Sequence, residues 1–182
     1  MSELPLHPAI VHLPIGLSLV VPIVAIVVAG LIATGKVTAK AWFLPLGLQL
    51  LLVLSSFASM RSGEQDEEVV EDVVAERVIH EHEEAAEAFT WTTVAVLALA
   101  LAGAFVPNEK LSTYARLAAS AGTLVALGLA FNVGHKGGLL VYKHGAAAAH
   151  VQAAGGGAGG GSGAVQKPGE TTEQKHDDDD DD

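Results

Sequence analysis

The sequence predicts an all-α integral-membrane four-helix bundle with an amphipathic acidic helical extension before the third span and a disordered C-terminal tail. Half of the 182 residues are hydrophobic and the mean hydropathy is +0.40, which is too apolar for an ordinary soluble domain of this size. The apolar residues fall in four blocks of about 20 residues, the length that crosses a bilayer as a helix. Composition changes abruptly after residue 145, so we divide the chain into a membrane domain, 1–145, and a tail, 146–182.

The four predicted spans cover residues 10–34, 41–60, 85–106 and 111–133. No basic residue precedes the first apolar run, which is also too long for a cleavable signal peptide. Trp42 stands at the start of the second span, where it fits an interfacial anchor. Pro107 ends the third span, because proline cannot continue a helix.

The segment between the second and third spans is strongly acidic but carries a hydrophobic stripe. Residues 64–87 contain eleven Asp or Glu against the single Arg77. Valines recur there at spacings of three and four, which favours a helix. We predict an amphipathic acidic helix over 64–84 that runs on into the third span as one helix about 60 Å long, at 1.5 Å per residue.

Beyond residue 145 the chain loses complexity. A Gly/Ser/Ala linker fills 155–163, and 167–182 is polar and ends in six aspartates, a composition typical of disorder. The chain has no cysteine, which excludes disulfides, iron–sulfur clusters and thiolate catalysis. It has no basic patch for nucleic acid, and no catalytic motif is visible. We therefore expect an electron-transfer or binding protein.

Six of the eight histidines are predicted to meet at one membrane face. Four spans alternate in direction, so the start of the first, the end of the second, the start of the third and the end of the fourth share one side. The histidines at these positions are His7, His12, His80, His82, His135 and His144.

Histidines from different helices of a membrane bundle are suited to holding b-type haem, because imidazole is a common axial ligand of haem iron. Covalent c-type attachment is excluded, since it needs cysteine. The candidate haem ligands are His7, His12, His80, His135 and His144. His12 with His135 or His80 with His144 would suit as a pair. His80 is preferred to His82 for an inward direction, because it shares a helix face with Glu84 and Glu87.

Two other interpretations of the histidines stay open. All six, His82 included, could bind a divalent transition metal with help from Glu64, Glu84 and Glu87. The protein would then be a non-catalytic membrane subunit or a metal-binding protein. Alternatively the histidines are interfacial or structural, and Gly137-Gly138 is simply a turn.

Orientation and partners follow from charge. The positive-inside count is tied, with Lys36, Lys40, Lys110 and Arg116 on the short-loop side against Arg61, Arg77, Lys136 and Lys143 on the other. Because the short loops carry their charges close to the spans, we expect them in the cytoplasm of a bacterium. The histidines and both termini are then outside the inner membrane. The expected partners are the lipid bilayer and either a quinone or a cytochrome c-like redox protein, with a homo-oligomer left open.

Two motifs resemble a known family. They are Leu6-His7-Pro8 with Val11-His12-Leu13-Pro14-Ile15-Gly16, and Gly134-His135-Lys136-Gly137-Gly138-Leu139-Leu140-Val141-Tyr142-Lys143-His144-Gly145. They are similar to the start and end of the bacterial four-helix membrane proteins of domain of unknown function 2231, over residues 3–145. Leu13 stands where the family more often has phenylalanine. The resemblance implies a histidine before the third span, with His80 and His82 both candidates. Members occur beside cytochrome c-like modules, which implies electron transfer.

Overall fold

The computed structural model describes residues 7–71, 74–146 and 148. A single helical turn, α1 (His7–Ile10), precedes four long helices: α2 (His12–Ala33), α3 (Phe43–Val70), α4 (Glu76–Phe105) and α5 (Glu109–Tyr142). A short 3-10 helix, Ala39–Trp42, leads into α3. Helices α2 and α4 each pack against both α3 and α5, which closes a four-helix bundle. The predicted all-α fold is therefore confirmed, and the four helices are long and apolar enough to cross a membrane.

The outer face of this bundle is apolar, and its interior contains polar side chains beside apolar ones. Large apolar side chains such as Ile23, Leu54 and Phe131 are 58–65% exposed on the outer face. Polar side chains such as Gln49 and Thr93 are almost fully buried between the helices. Lipid tails are as apolar as leucine, so a membrane bundle gains its contacts from small and polar residues inside. This pattern agrees with the lengths and hydropathies of the four helices.

Local chemistry explains where the helices end. Gly35 follows α2 with φ +67°, a left-handed conformation that glycine adopts without steric cost. Its N–H donates to the Ile32 carbonyl at 3.0 Å, which closes the last turn of α2. At the other short loop, Pro107 follows α4, and the Asn108 side chain caps α5 by accepting from the Leu111 N–H at 3.1 Å.

Trp42 is not the interfacial anchor that its position indicated. Its ring is 1% exposed and packs with small core residues, among them Ala25, Ala100 and Ala119. The indole N–H donates to the Ala100 carbonyl on α4 at 2.9 Å. The small residues leave a space that the indole fills, and the hydrogen bond satisfies its one polar atom.

The acidic segment is a helical hairpin and not one continuous helix. Helix α3 runs on to Val70 and α4 begins at Glu76, after Ala75 in an extended conformation (φ −64°, ψ 128°). The predicted helix over 64–84, continuous with the third span, is therefore wrong. Val74 is buried with Ile79 and Ala146, so the hydrophobic stripe packs the hairpin against the far end of α5.

Helix α5 also differs from the prediction. It continues nine residues beyond the predicted span end at residue 133, to Tyr142. Gly137 and Gly138 lie inside it, so the alternative of a turn at these glycines is wrong. Of the predicted tail, all but residues 146 and 148 lie outside the described residues.

Candidate functional site

The bundle brings the six predicted histidines to one end. The His7 ring reaches the C-terminal half of α3, and the His82 ring on α4 packs against Gly137 on α5. Close by, the Lys136 ammonium donates to the Glu81 carbonyl at 2.8 Å. In the sequence, His12 lies five residues after His7, and His135 lies next to Lys136. Of the six histidines, His7 and His82 are the two whose rings contact a neighbouring helix among the described residues.

His7 is fixed in one orientation by α3. Its Nδ1 lies 3.0 Å from the Ser59 carbonyl oxygen and 2.9 Å from the Ser62 hydroxyl oxygen. A carbonyl can only accept, so Nδ1 carries a proton and donates it to Ser59. In the neutral ring Nε2 is then the basic nitrogen. The absence of a side chain at Gly63 gives the ring its place, because a methyl group there would lie 3.3 Å from Cε1 of His7.

His82 occupies the matching position on α4. Its Nδ1 is buried and has no hydrogen-bond partner among the described residues. A methyl group at Gly137 would lie 3.1 Å from Cε1 of His82, so α5 also makes room for an imidazole. His82 and His7 are near enough for their charges to interact. We call this pair, with Gly63 and Gly137, the histidine junction.

His12 presents its ring differently. It is exposed, and its Nδ1 lies 2.6 Å from the Pro8 carbonyl oxygen. As at His7, this contact assigns the proton to Nδ1 and leaves Nε2 basic. A hydrogen bond from the other ring nitrogen to a carbonyl is what orients a metal-binding histidine.

A groove of about 310 Å³ lies between α2 and α5. Its polar side chains are Ser18 and His135, and the remaining lining is apolar: Ile15, Leu19, Leu127, Ala130, Phe131 and Gly134. The Ser18 hydroxyl donates to the Ile15 carbonyl at 2.7 Å. We call this cavity the α2/α5 groove, and His135 stands at its histidine end.

His12 lies on the groove side of α2. Residues three and seven positions apart share a helix face, so His12 lies on the face of Ile15 and Leu19, one turn nearer to the bundle end. Leu127, Phe131 and His135 follow one another at spacings of four on α5. His135 is the imidazole that lines the groove, whereas the His12 ring is turned back onto the Pro8 carbonyl.

His80 faces outward, and the preference for it over His82 is wrong. Its side chain is 67% exposed, with Nε2 3.3 Å from a Glu84 carboxylate oxygen and Nδ1 3.8 Å from Glu83. Glu83 and Glu84 are themselves 40% and 64% exposed, so the helix face that His80 shares with Glu84 points outward. Helix α4 buries Ile79, Ala85 and Phe89 instead, and His82 follows the same stripe.

The second predicted pair, His80 with His144, gains no shared contact among the described residues. His144 is half-buried just after α5, and its backbone N–H donates to the Leu139 carbonyl at 3.1 Å. The carboxylates suggested for a non-haem metal are similarly scattered: Glu64 lies 3.8 Å from Arg61, whereas Glu84 lies beside His80. Over the described ranges, no three His, Asp or Glu side chains are grouped so that they could hold a metal ion.

The α2/α5 groove presents one imidazole, His135, beside apolar side chains. Its volume is at the lower end of the 300–1,000 Å³ typical of ligand pockets, and its neighbours Leu19 and Phe131 are exposed on the outer face, so part of a cofactor would lie outside. At the junction, by contrast, each imidazole faces a neighbouring helix at Gly63 or Gly137. A macrocycle between those rings would require helices to move.

Comparison with known proteins gives no match to a family model, a curated protein or a solved structure.

Sequence reasoning missed the residues that hold the junction together. Ser59, Ser62 and Gly63 form its α3 side. Ser59 lies in the predicted second span, whereas Ser62 and Gly63 lie between that span and the predicted acidic helix. A small-residue pair at 62–63 is a weak signal by itself. The contact of the Ser62-Gly63 pair with His7 in the structure identifies its role.

Proposed function

We propose that this chain is a membrane protein that binds b-type haem through histidines at one end of its bundle and takes part in electron transfer. The observation that carries the proposal is the state of the imidazoles. At His7 and His12, Nδ1–H is held by a backbone carbonyl, and this leaves Nε2 as the nitrogen available to iron.

The composition of the histidine end favours haem over the alternative, a divalent metal held by His and Glu without haem. Structural or catalytic sites for zinc and similar ions use three or four protein ligands. The described part of the chain holds no such group. Haem supplies four of its own nitrogens, so the protein need supply only one or two imidazoles. When bound, haem would supply one-electron redox chemistry, while the protein would set its position and surroundings.

The setting supports a role in the membrane. The α2/α5 groove opens between helices whose outer faces are apolar, so its occupant would be in contact with lipid. Orientation in a bacterial inner membrane, with the histidines outside, is part of the proposal and rests on the charges of the short loops. So is membership of the family of domain of unknown function 2231, which rests on the two sequence motifs.

The acidic hairpin suggests a partner class. Its carboxylates lie at the same end as the histidines, and complementary charge steers association between redox proteins. A cationic cytochrome c-like protein is the partner proposed here, with quinone as the electron carrier on the lipid side.

The direct test is an absorption spectrum of the purified protein in detergent. The protein is expressed with ample haem, and the spectrum is recorded oxidised and after dithionite reduction. The haem is quantified as its pyridine haemochromogen. We expect a sharp reduced α-band and about one or two haems per chain. A colourless protein with intact helical structure would refute the proposal.

Metal analysis of the same sample tests the alternative. Stoichiometric zinc, iron or manganese without haem would favour a metal-binding protein. A sample free of both would leave the histidines as structural residues. His80→Ala is a control for histidine substitutions at this end of the bundle. Its exposed side chain interacts with carboxylates of its own helix, so its loss should leave haem content unchanged.

A further inference from the structure

We infer that the α2/α5 groove binds the ring of a membrane-soluble quinone, with the His135 imidazole as its hydrogen-bonding partner. The inference deepens the proposed function by giving a site to the electron carrier on the lipid side. The redox role of this site rests on the proposed function, whereas quinone binding is measured separately from haem. His7 and His12 keep the role of iron ligands.

The first argument is where the groove opens. It lies between α2 and α5 and has a volume of about 310 Å³. Both helices are long and apolar enough to cross a membrane, and two of the lining side chains, Leu19 and Phe131, are 47% and 65% exposed on the outer face. A ligand therefore enters from lipid. The volume suits a single ring system, with the isoprenoid tail of the quinone outside the groove among the acyl chains.

The second argument is the polarity of the groove. Its lining includes two polar side chains, Ser18 and His135. The Ser18 hydroxyl donates to the Ile15 carbonyl at 2.7 Å, so its proton is already used. The His135 side chain is exposed, and its ring has no bonding partner among the described residues. One imidazole at the end of an apolar groove is complementary to a ligand with a carbonyl group on an otherwise apolar ring.

The third argument is that imidazole matches both oxidation states of a quinone. A neutral imidazole has one donor nitrogen and one acceptor nitrogen. It donates to a carbonyl oxygen of the quinone, and it accepts from a hydroxyl group of the quinol. A phospholipid ester offers only acceptors, and an acyl chain offers neither a donor nor an acceptor. The quinone is therefore the lipid-soluble ligand that uses both nitrogens.

The fourth argument is the position of the groove relative to the proposed iron ligands. Ile15 lines the groove and follows His12 by three residues, so the two share a face of α2. A quinone in the groove therefore lies at the end of α2 that carries a proposed haem ligand. Electron transfer between two carriers requires that they bind close to each other.

The first experiment measures binding of decylubiquinone, a short-tailed benzoquinone, to the full-length protein in phosphatidylcholine nanodiscs. Histidine is labelled with carbon-13 at Cε1, and the His135 resonance is assigned by its absence in His135→Leu. We expect this resonance to shift saturably, with about one quinone bound per chain. Decylbenzene has the same tail but no carbonyl oxygen, so it should bind at least tenfold more weakly, the effect of about one hydrogen bond.

Variants of His135 separate a hydrogen bond from general packing. His135→Leu keeps an apolar side chain of similar size but has no donor, and we expect it to weaken binding about tenfold. His135→Gln restores an N–H donor and should bind within about threefold of the wild type. Binding is measured as competition by decylubiquinone against photolabelling with an azidoquinone, and mass spectrometry should locate the label on peptides of α2 and α5.

A matched pair of glycine variants tests the groove itself. Gly134 lines the groove, whereas Gly128 lies in the same helix outside the lining. An added Cβ meets nothing within 4 Å at either position. Gly134→Leu should reduce photolabelling several-fold because its side chain takes up space in the groove, and Gly128→Leu should leave it unchanged. Circular dichroism and gel filtration verify that both variants are folded.

The outcomes separate this inference from the proposed function. Binding of decylbenzene as tight as that of decylubiquinone would overturn the inference, because the groove would then accept any apolar chain. Equal photolabelling of the wild type, His135→Leu and Gly134→Leu would also overturn it, as would loss of haem from His135→Leu, which would assign this imidazole to iron. All three results leave haem binding itself intact. A wild-type protein that binds quinone at His135 without haem would refute the proposed function alone, and one that binds neither would refute both.

Discussion

Substitution of Gly137 by alanine should destabilise the histidine junction, and the same substitution at the adjacent Gly138 serves as the control. In Gly137→Ala the new methyl group would lie 3.1 Å from Cε1 and 3.6 Å from Nδ1 of His82. Carbon atoms pack best at about 3.5–4.0 Å, so the buried ring or the helix must shift by a few tenths of an ångström. In Gly138→Ala the methyl group would meet nothing within 4 Å.

The two substitutions share the same backbone effect. Replacing glycine by alanine inside a helix gains about 1 kcal/mol, and both residues lie in α5. Overpacking at a close contact costs about 1–3 kcal/mol, and only Gly137→Ala incurs it. We therefore expect Gly138→Ala to raise the free energy of unfolding slightly and Gly137→Ala to lie about 1–3 kcal/mol below it.

The assay is a reversible SDS titration of the protein in mixed micelles, followed by circular dichroism. In parallel, NMR of histidine labelled at Cε1 reports on the ring itself, and the His82 resonance should move in Gly137→Ala only. Equal unfolding midpoints for the two variants, together with an unmoved His82 resonance, would refute the packing described at the junction.

Three further predictions concern the rest of the bundle. Gly103→Ala should have a free energy of unfolding about 1–3 kcal/mol below that of Gly128→Ala, because its methyl group would lie 2.8 Å from the side chain of a buried arginine on α5. Gly128→Ala has open space around it and is the control in the same SDS titration. Trp42→Phe should cost about 1 kcal/mol through its lost hydrogen bond, and a midpoint equal to wild type would contradict that bond's role. Because the chain has no native cysteine, Thr38→Cys and Lys143→Cys, both at exposed positions, should react with an impermeant maleimide from opposite sides of the membrane. Labelling of both from one side would contradict the four-span topology.

The four-helix fold was predictable because each apolar block is as long as a membrane is thick. The break in the acidic segment was not, since a valine repeat at spacings of three and four is compatible with one long helix or with two shorter ones. Tertiary packing determines that there are two helices, because Val74 and Ile79 are buried with Ala146 near the end of α5. That contact joins residues about 70 positions apart in the sequence, and no local pattern contains it.

The candidate site was predictable as a place but not as a set of contacts. Alternation of the spans was enough to bring His7, His82 and His135 to one end. The inward direction of His82 was not predicted, because Glu84 and Glu87 favoured the helix face of His80 as the inward one. The opposite stripe, with Ile79, Ala85 and Phe89 buried on α4, carries the correct signal, since apolar residues at helical spacing mark the packed face.

The acidic hairpin also carries fixed negative charge at the histidine end, with exposed carboxylates at Glu64 and Glu84. Residues 64–87 carry eleven carboxylates, and these should gather mobile cations within about one Debye length, or roughly 8 Å at physiological ionic strength. The rate of encounter with a cationic protein should therefore fall as salt is added, while the packing of the helices beneath should not change. Ionic strength should therefore change the association rate at this end of the molecule without changing the stability of the membrane bundle.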